Sequence, residues 1–307
     1  MAKVFGRLLR WGAAVVVTAL AAAFVMTGYV PFHGEAPVKT THDSLLVPMA
    51  TGIVLAALLA DRSQRRKLDQ RVRRALEGHS MPYELTWLLL LLAVFLVATL
   101  GVSYFAEVFL PGVSWEVMMP PVRILFLFVL PLIVVDLGGF TIAGYSTVMP
   151  TVAMRVTERW RWMGLVPAAA VAGLSLLAIS DIIRGSVLGP LVLAAAVLAI
   201  VAAVAVPEEM FFRALVQSRL EVVVGRWPGI LLSVALFTVV SVFLSEYGDF
   251  SSESELVEFG VGHAAVFYAV VGLLQGYIWA CYRNIWLNIL LRSATLLLRV
   301  LPALQLM

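Results

Sequence analysis

Two adjacent acids, Glu208 and Glu209, stand at the end of a long apolar run from Leu188 to Val206, just after Pro207. Arg213 follows Glu209 by four residues. On a helix that spacing lets Glu209 and Arg213 pair on one face, while Glu208 points about 100° away, without that partner. Ionisable groups at membrane depth are costly and mark function by default. A carboxylate held out of water without a cation is the type of group that takes a proton from a nucleophilic water. The alternative is an ion pair at a helix end, level with the headgroups, with no chemistry.

Further patterns follow in order: Pro228 to Phe237, Gly272-Leu273-Leu274-Gln275-Gly276, Arg283-Asn284-Ile285-Trp286 and Ile289-Leu290-Leu291-Arg292. This succession resembles the CAAX prenyl protease and bacteriocin-processing family, the glutamate-dependent intramembrane proteases abbreviated CPBP or Abi. The resemblance covers about Leu188 to Leu298. It rests on an EExxxR motif, which Glu208, Glu209 and Arg213 match, and on two later motifs that normally carry histidines. It implies a membrane-embedded endopeptidase in which the first glutamate activates water, two histidines assist and an asparagine stabilises the oxyanion. In this chain the FxxxH frame falls on Phe237 and Ser241, and the last motif falls on Trp286, Ile289, Leu290 and Arg292. Serine and arginine therefore occupy the two histidine positions, and Thr295 and Leu296 stand near the usual asparagine. Neither Ser241 nor Arg292 replaces imidazole, because a hydroxyl has no suitable pKa and a guanidinium stays protonated. A literal FxxxH string at Phe259 to His263 follows the acidic stretch Glu246 to Glu258. Its place at the start of a span puts His263 far from Glu208.

Arg292 lies several residues inside the last apolar run. An intramembrane arginine finds an acid or a water-filled cavity, and Glu208 is the acid left without a partner. An ion pair between Glu208 and Arg292 would turn a general base into a structural brace. In the opposing arrangement Arg292 donates to an oxyanion while Glu208 still activates water. Residue types alone leave both open.

The elements that position these residues follow from composition. The chain has 307 residues, of which 62% are hydrophobic and 13% charged, against about 45–50% and 25% in soluble domains. Runs of about 20 apolar residues suit a hydrocarbon core about 30 Å thick. They predict an all-α, polytopic transmembrane helix bundle of about nine spans, at residues 11–30, 44–60, 84–106, 121–143, 163–180, 188–206, 227–245, 263–281 and 284–304. The first is read as a retained anchor. Seven basic residues between Asp61 and Glu77 place that loop in the cytoplasm by the positive-inside rule. The other loops alternate in agreement, so the amino terminus is expected in the cytoplasm of a bacterial inner membrane. The basic stretch 61–77 is read as a surface helix against anionic headgroups. The chain divides into amino-terminal helices, residues 1–160 with that basic loop, and a CPBP-type core, residues 161–307.

A net charge of +3 carries no nucleic-acid footprint. Cys281, the single cysteine, has no partner for a disulfide, and His33, His42 and His79 show no metal-ligand spacing. No cofactor or metal is expected. The expected partners are the lipid bilayer and a membrane protein or peptide. Three functions remain: a catalytically degenerate protease scaffold that binds a membrane partner, peptide or lipid; an active endopeptidase using Glu208 as general base with Glu209, Arg213, Ser241 and Arg292; and a transporter or channel subunit with Asp136 on a polar pathway. The missing imidazoles favour the first.

Overall fold

The computed structural model describes residues 41–110, 118–137, 152–178, 198–199, 201–247 and 253–305. Every element in these segments is a helix. In lipid the backbone must satisfy its own hydrogen bonds, and Leu, Val and Ala runs do so as helices. The expected span 11–30, the loop before residue 41, most of 188–206 and the side chain of Asp136 lie outside the described residues.

We number the helices in chain order. α1 covers Thr41–Leu59, α2 Arg62–Ala75 and α3 Met81–Phe109. α4 runs over residues 119–137, and a short 3-10 segment, Arg159–Gly164, leads into α5, Leu165–Ala178. α6 is one continuous helix over residues 201–224. α7 covers Arg226–Tyr247, α8 Glu253–Tyr282 and α9 Ile285–Gln305. Three stretches are long and apolar enough to cross a membrane: Met81–Phe109, Arg226–Leu244 and Ala264–Tyr282. Pro48–Leu59, Met119–Val134 and Ile285–Leu296 are shorter apolar helices.

α6 is the central element. It touches α3, α4, α7, α8 and α9, and Phe211, Phe212, Leu215 and Val216 join the main core with Phe237, Val271, Leu274 and Leu291. A helix surrounded on all sides has no lipid-facing stripe, so its polar groups must find partners among its neighbours. The turn from α6 to α7 depends on glycine twice. Gly225 adopts φ +94°, a conformation disfavoured for side chains with a Cβ. At Gly229 a Cβ would stand 2.6 Å from the backbone nitrogen of Glu221.

The basic stretch 61–77 packs partly against the bundle. α2 is a helix, capped by Asp61, whose carboxylate accepts from the backbone of Ser63 at 2.7 Å. One face of it, however, is docked on protein: Leu68, Val72 and Leu76 are buried, and Asp69 pairs with Arg226 and Arg283 at 3.3 and 3.4 Å. Trp279 is wholly buried and donates to Ser218 Oγ at 3.2 Å. Trp162, Trp227 and Trp286 remain exposed.

Candidate functional site

The geometry of Glu208 and Glu209 begins with Pro207. Proline lacks an N–H and disturbs the preceding turn of a helix. Around it α6 keeps α-helical geometry only over Val206–Glu209. The flanking turns, Val201–Ala205 and Met210–Gln217, are widened to π-helix. Such widened turns recur at functional positions because they re-aim side chains.

Glu208 is 2% exposed and faces α9. Arg292 Nε donates to its Oε2 at 2.8 Å, and Arg292 Nη2 lies 2.6 Å from the same oxygen. The other carboxylate oxygen, Oε1, has Arg123 Nη1 of α4 at 3.9 Å. The guanidinium of Arg292 also rests over the Phe237 ring, 5.0 Å from its centroid. Arg213 lies over the same ring at 4.9 Å, so one aromatic side chain of α7 serves both cations.

Glu209 and Arg213 are fully buried, with Arg213 Nε 3.4 Å from Glu209 Oε2. No described residue donates a hydrogen bond to either carboxylate oxygen of Glu209. Arg213 spends its terminal nitrogens elsewhere: Nη2 donates to Gln275 Oε1 at 3.1 Å and Nη1 to Ser233 Oγ at 3.4 Å. Ser233 in turn donates to the carbonyl of Phe212 at 3.1 Å. One turn further, Gln217 Nε2 donates both to Glu221 Oε1 and to the carbonyl of Gly276, each at 2.8 Å. Glu221 then meets Arg283.

Two outer networks hold this core. Glu84 of α3, completely buried, accepts from Arg219 Nε at 2.6 Å and meets His79 Nδ1 at 2.6 Å. At the other side, Arg161 donates to the carbonyls of Tyr282, at 2.9 Å, and of Arg283, closing the carboxyl end of α8. Arg283 there adopts φ +47°, and Asn284 Oδ1 accepts from the backbone of Trp286 at 3.1 Å to start α9. Outside the apolar spans, Glu158 bridges Arg71 of α2, at 2.5 Å, and Arg161, at 3.2 Å. Burial pushes the Glu158 carboxyl up, but the hydrogen bonds from Arg71 and Arg161 outweigh it and bring it down to about 2.

Of the residues singled out by spacing, Glu208, Glu209, Arg213 and Arg292 are thus gathered within one buried cluster around Phe237. Ser241 lies one turn beyond Phe237 on α7 and is buried. Thr295 folds back on α9, its hydroxyl donating to the carbonyl of Arg292 at 2.8 Å. His263 falls within α8, twelve residues before Gln275, which is about 18 Å along the axis. His79, in the connection between α2 and α3, pairs with Glu84 through a side chain that is 3% exposed. Arg123, Gln217 and Glu221 escaped the sequence reading, and Gln275 and Ser233 entered it only as members of longer motifs. The signal for two of them was available, since Gln217 and Glu221 continue the four-residue spacing of Glu209 and Arg213. Among the described residues no three His, Cys, Asp or Glu side chains converge as a metal site.

No curated protein and no solved structure matches the chain. A family model does: residues 188–297 match "Type II CAAX prenyl endopeptidase Rce1-like". That stretch contains all of α6, α7 and α8 and the part of α9 that bears Arg292. With helices long and apolar enough to cross a bilayer and this match over the segment that builds the carboxylate cluster, the chain is an integral membrane protein with a domain of the Rce1-like, CPBP family.

Proposed function

We propose that this protein is a catalytically degenerate intramembrane-protease scaffold that binds a membrane partner, peptide or lipid, within the bacterial inner membrane and with its amino terminus in the cytoplasm. One observation carries the reading. The carboxylate expected to activate water, Glu208, is engaged at 2.6 and 2.8 Å by Arg292, and Arg292 stands where the resemblance calls for a histidine. A guanidinium does not exchange protons near neutrality. General-base catalysis needs a carboxylate that water can approach and a second group able to pass a proton on. Here one oxygen of Glu208 is taken by Arg292, and Arg292 cannot pass a proton on. The family match over residues 188–297 supports a retained domain on which a membrane segment would lie.

The active-endopeptidase reading is favoured by a different observation: Glu209, fully buried, accepts no hydrogen bond from the described residues. It would then be the base, with Arg213 or Arg292 stabilising the oxyanion. The two readings separate in cells that express wild type, Glu208→Gln or Glu209→Gln at equal abundance. Under the scaffold reading, mass spectrometry of membrane-associated proteins finds the same chain termini in all three strains. A cleavage product present with wild type and lost with either variant overturns it.

A further inference from the structure

Four polar side chains recur at four-residue intervals along α6: Glu209, Arg213, Gln217 and Glu221. All are buried, and from first to last they span about 18 Å of helix. The opposite side of the same helix carries Phe211, Phe212, Leu215 and Val216, part of the apolar core. The polar side is joined by contact on both sides of one interval, between Arg213 and Gln217. Glu209 meets Arg213 at 3.4 Å, and Gln217 meets Glu221 at 2.8 Å. Glu221 meets Arg283, and Arg283 meets Asp69 at 3.4 Å. Asp69 is one-third exposed, so the series ends at the protein surface.

The interval between Arg213 and Gln217 is bordered by Gly276 of α8. A Cβ there would come 3.2 Å from Gln217 Oε1 and 3.7 Å from Arg213 Nη1. The absent side chain leaves that interval to Gln217, Arg213 and the Ile230 methyl, whose Cγ2 would be 3.2 Å from the same Cβ. Along the same face, Glu209 Oε1 and Oε2, Arg213 Nε, Gln217 Oε1, Gln275 Nε2 and Arg283 Nε have no hydrogen-bond partner among the described residues. Isolated orphans of this kind are rare, because each keeps its full desolvation penalty. Six along one connected face have a common remedy, which is water. The Glu84, His79 and Arg219 group is better paired among its own members, with Arg219 Nη2 its single orphan.

We propose that this face of α6 is a hydrated path that brings water from the surface around Asp69 to the carboxylate of Glu209. The ligand is water itself, held by Arg213, Gln217, Gln275 and Glu221. Both oxygens of Glu209 are then open to water, whereas Glu208 keeps Oε2 on Arg292 and leaves only Oε1 without a hydrogen-bond donor. The inference goes beyond the scaffold reading and holds whether or not the domain cleaves a substrate.

The test uses a thiol as an atom-sized reporter. Cys281 is the only cysteine, so Cys281→Ala gives a thiol-free full-length background. Into it go Ser233→Cys, whose side chain faces Arg213, and Val234→Cys, its neighbour at the same depth; both sites are buried. The purified protein is moved from H2O to D2O, and conversion of the S–H infrared band to S–D is followed in time. The expected result is that Cys at 233 exchanges at least ~10-fold faster than Cys at 234, because only the former touches the path. Adding Gln217→Leu should slow exchange at 233 by about tenfold, since an apolar isostere breaks the series. Equal rates at 233 and 234, or a rate at 233 indifferent to Gln217→Leu, overturns the proposal. If Ser233→Cys does not fold, Gln217→Cys compared with Val216→Cys separates the same two outcomes by the same ratio.

Discussion

Removing the Glu208 carboxylate takes the close partner of Arg292 out of a site where both groups are 2% exposed. Breaking a buried pair by deleting one member costs about 3–5 kcal/mol, because the remaining charge stays desolvated. Glu208→Ala should fall in the middle of that range. Arg292→Leu should sit at its lower end, since Arg123 Nη1 remains 3.9 Å from Glu208 Oε1. The double variant removes both charges and leaves a leucine against the Phe237 ring that Arg292 covers at 5.0 Å. Its cost reduces to the cavity left by alanine, about 1–2 kcal/mol. The interaction energy from the cycle is then about 5 kcal/mol, far above the scatter of independent sites. Thermal unfolding of purified protein in detergent reads it directly. At about 2–4 °C per kcal/mol, Glu208→Ala should lower Tm by on the order of 10 °C, and adding Arg292→Leu should restore more than half of the loss. Additive losses in the double variant would refute the idea that the two residues brace each other.

Three further outcomes follow from the surrounding structure. Glu84→Gln should destabilise by about 3 kcal/mol or more, because Glu84 is fully buried between Arg219 and His79; a Tm within 2 °C of wild type, where about 2–4 °C per kcal/mol is expected, would rule this out. Glu158 has its folded-state pKa lowered to about 2 from an ordinary 4.5, so its contribution is fully present above about 4.5 and is lost as pH falls towards 2. Acid unfolding of Glu158→Gln should therefore show a shallower slope in that window than wild type, measured by fluorescence. Gly229→Ala should cost more than Gly272→Ala, as judged by Tm. At Gly229 the added carbon meets the backbone of Glu221 at 2.6 Å, whereas at Gly272 it meets the Phe237 side chain at 3.0 Å, which can give.

Much of the fold was legible because a bilayer imposes a simple rule on sequence. Apolar run length marks helices, and α3, α7, α8 and α9 overlie the runs 84–106, 227–245, 263–281 and 284–304 closely. The family likeness was legible because EExxxR is a local pattern within one helix. The Glu209–Arg213 pair lies within reach of the same local rule, since four residues span about one turn. Arg292 and Glu208 are 84 residues apart, and only the cost of an intramembrane charge linked them in sequence.

What the sequence by itself determined was thus a helical membrane protein, its likeness over the carboxyl-terminal third and the identity of its costly charges. Tertiary structure decided which charge meets which. Hydropathy has no direction across a helix that is buried on every side, so nothing in α6 alone placed Arg123 and Arg292 beside Glu208, or aimed Gln217 and Glu221 at α8. Nor did it bring Glu84 of α3 to Arg219, a separation of 135 residues. Those pairings arise because buried polar groups must be satisfied by whatever neighbour the packing supplies, and packing is a property of the assembled bundle.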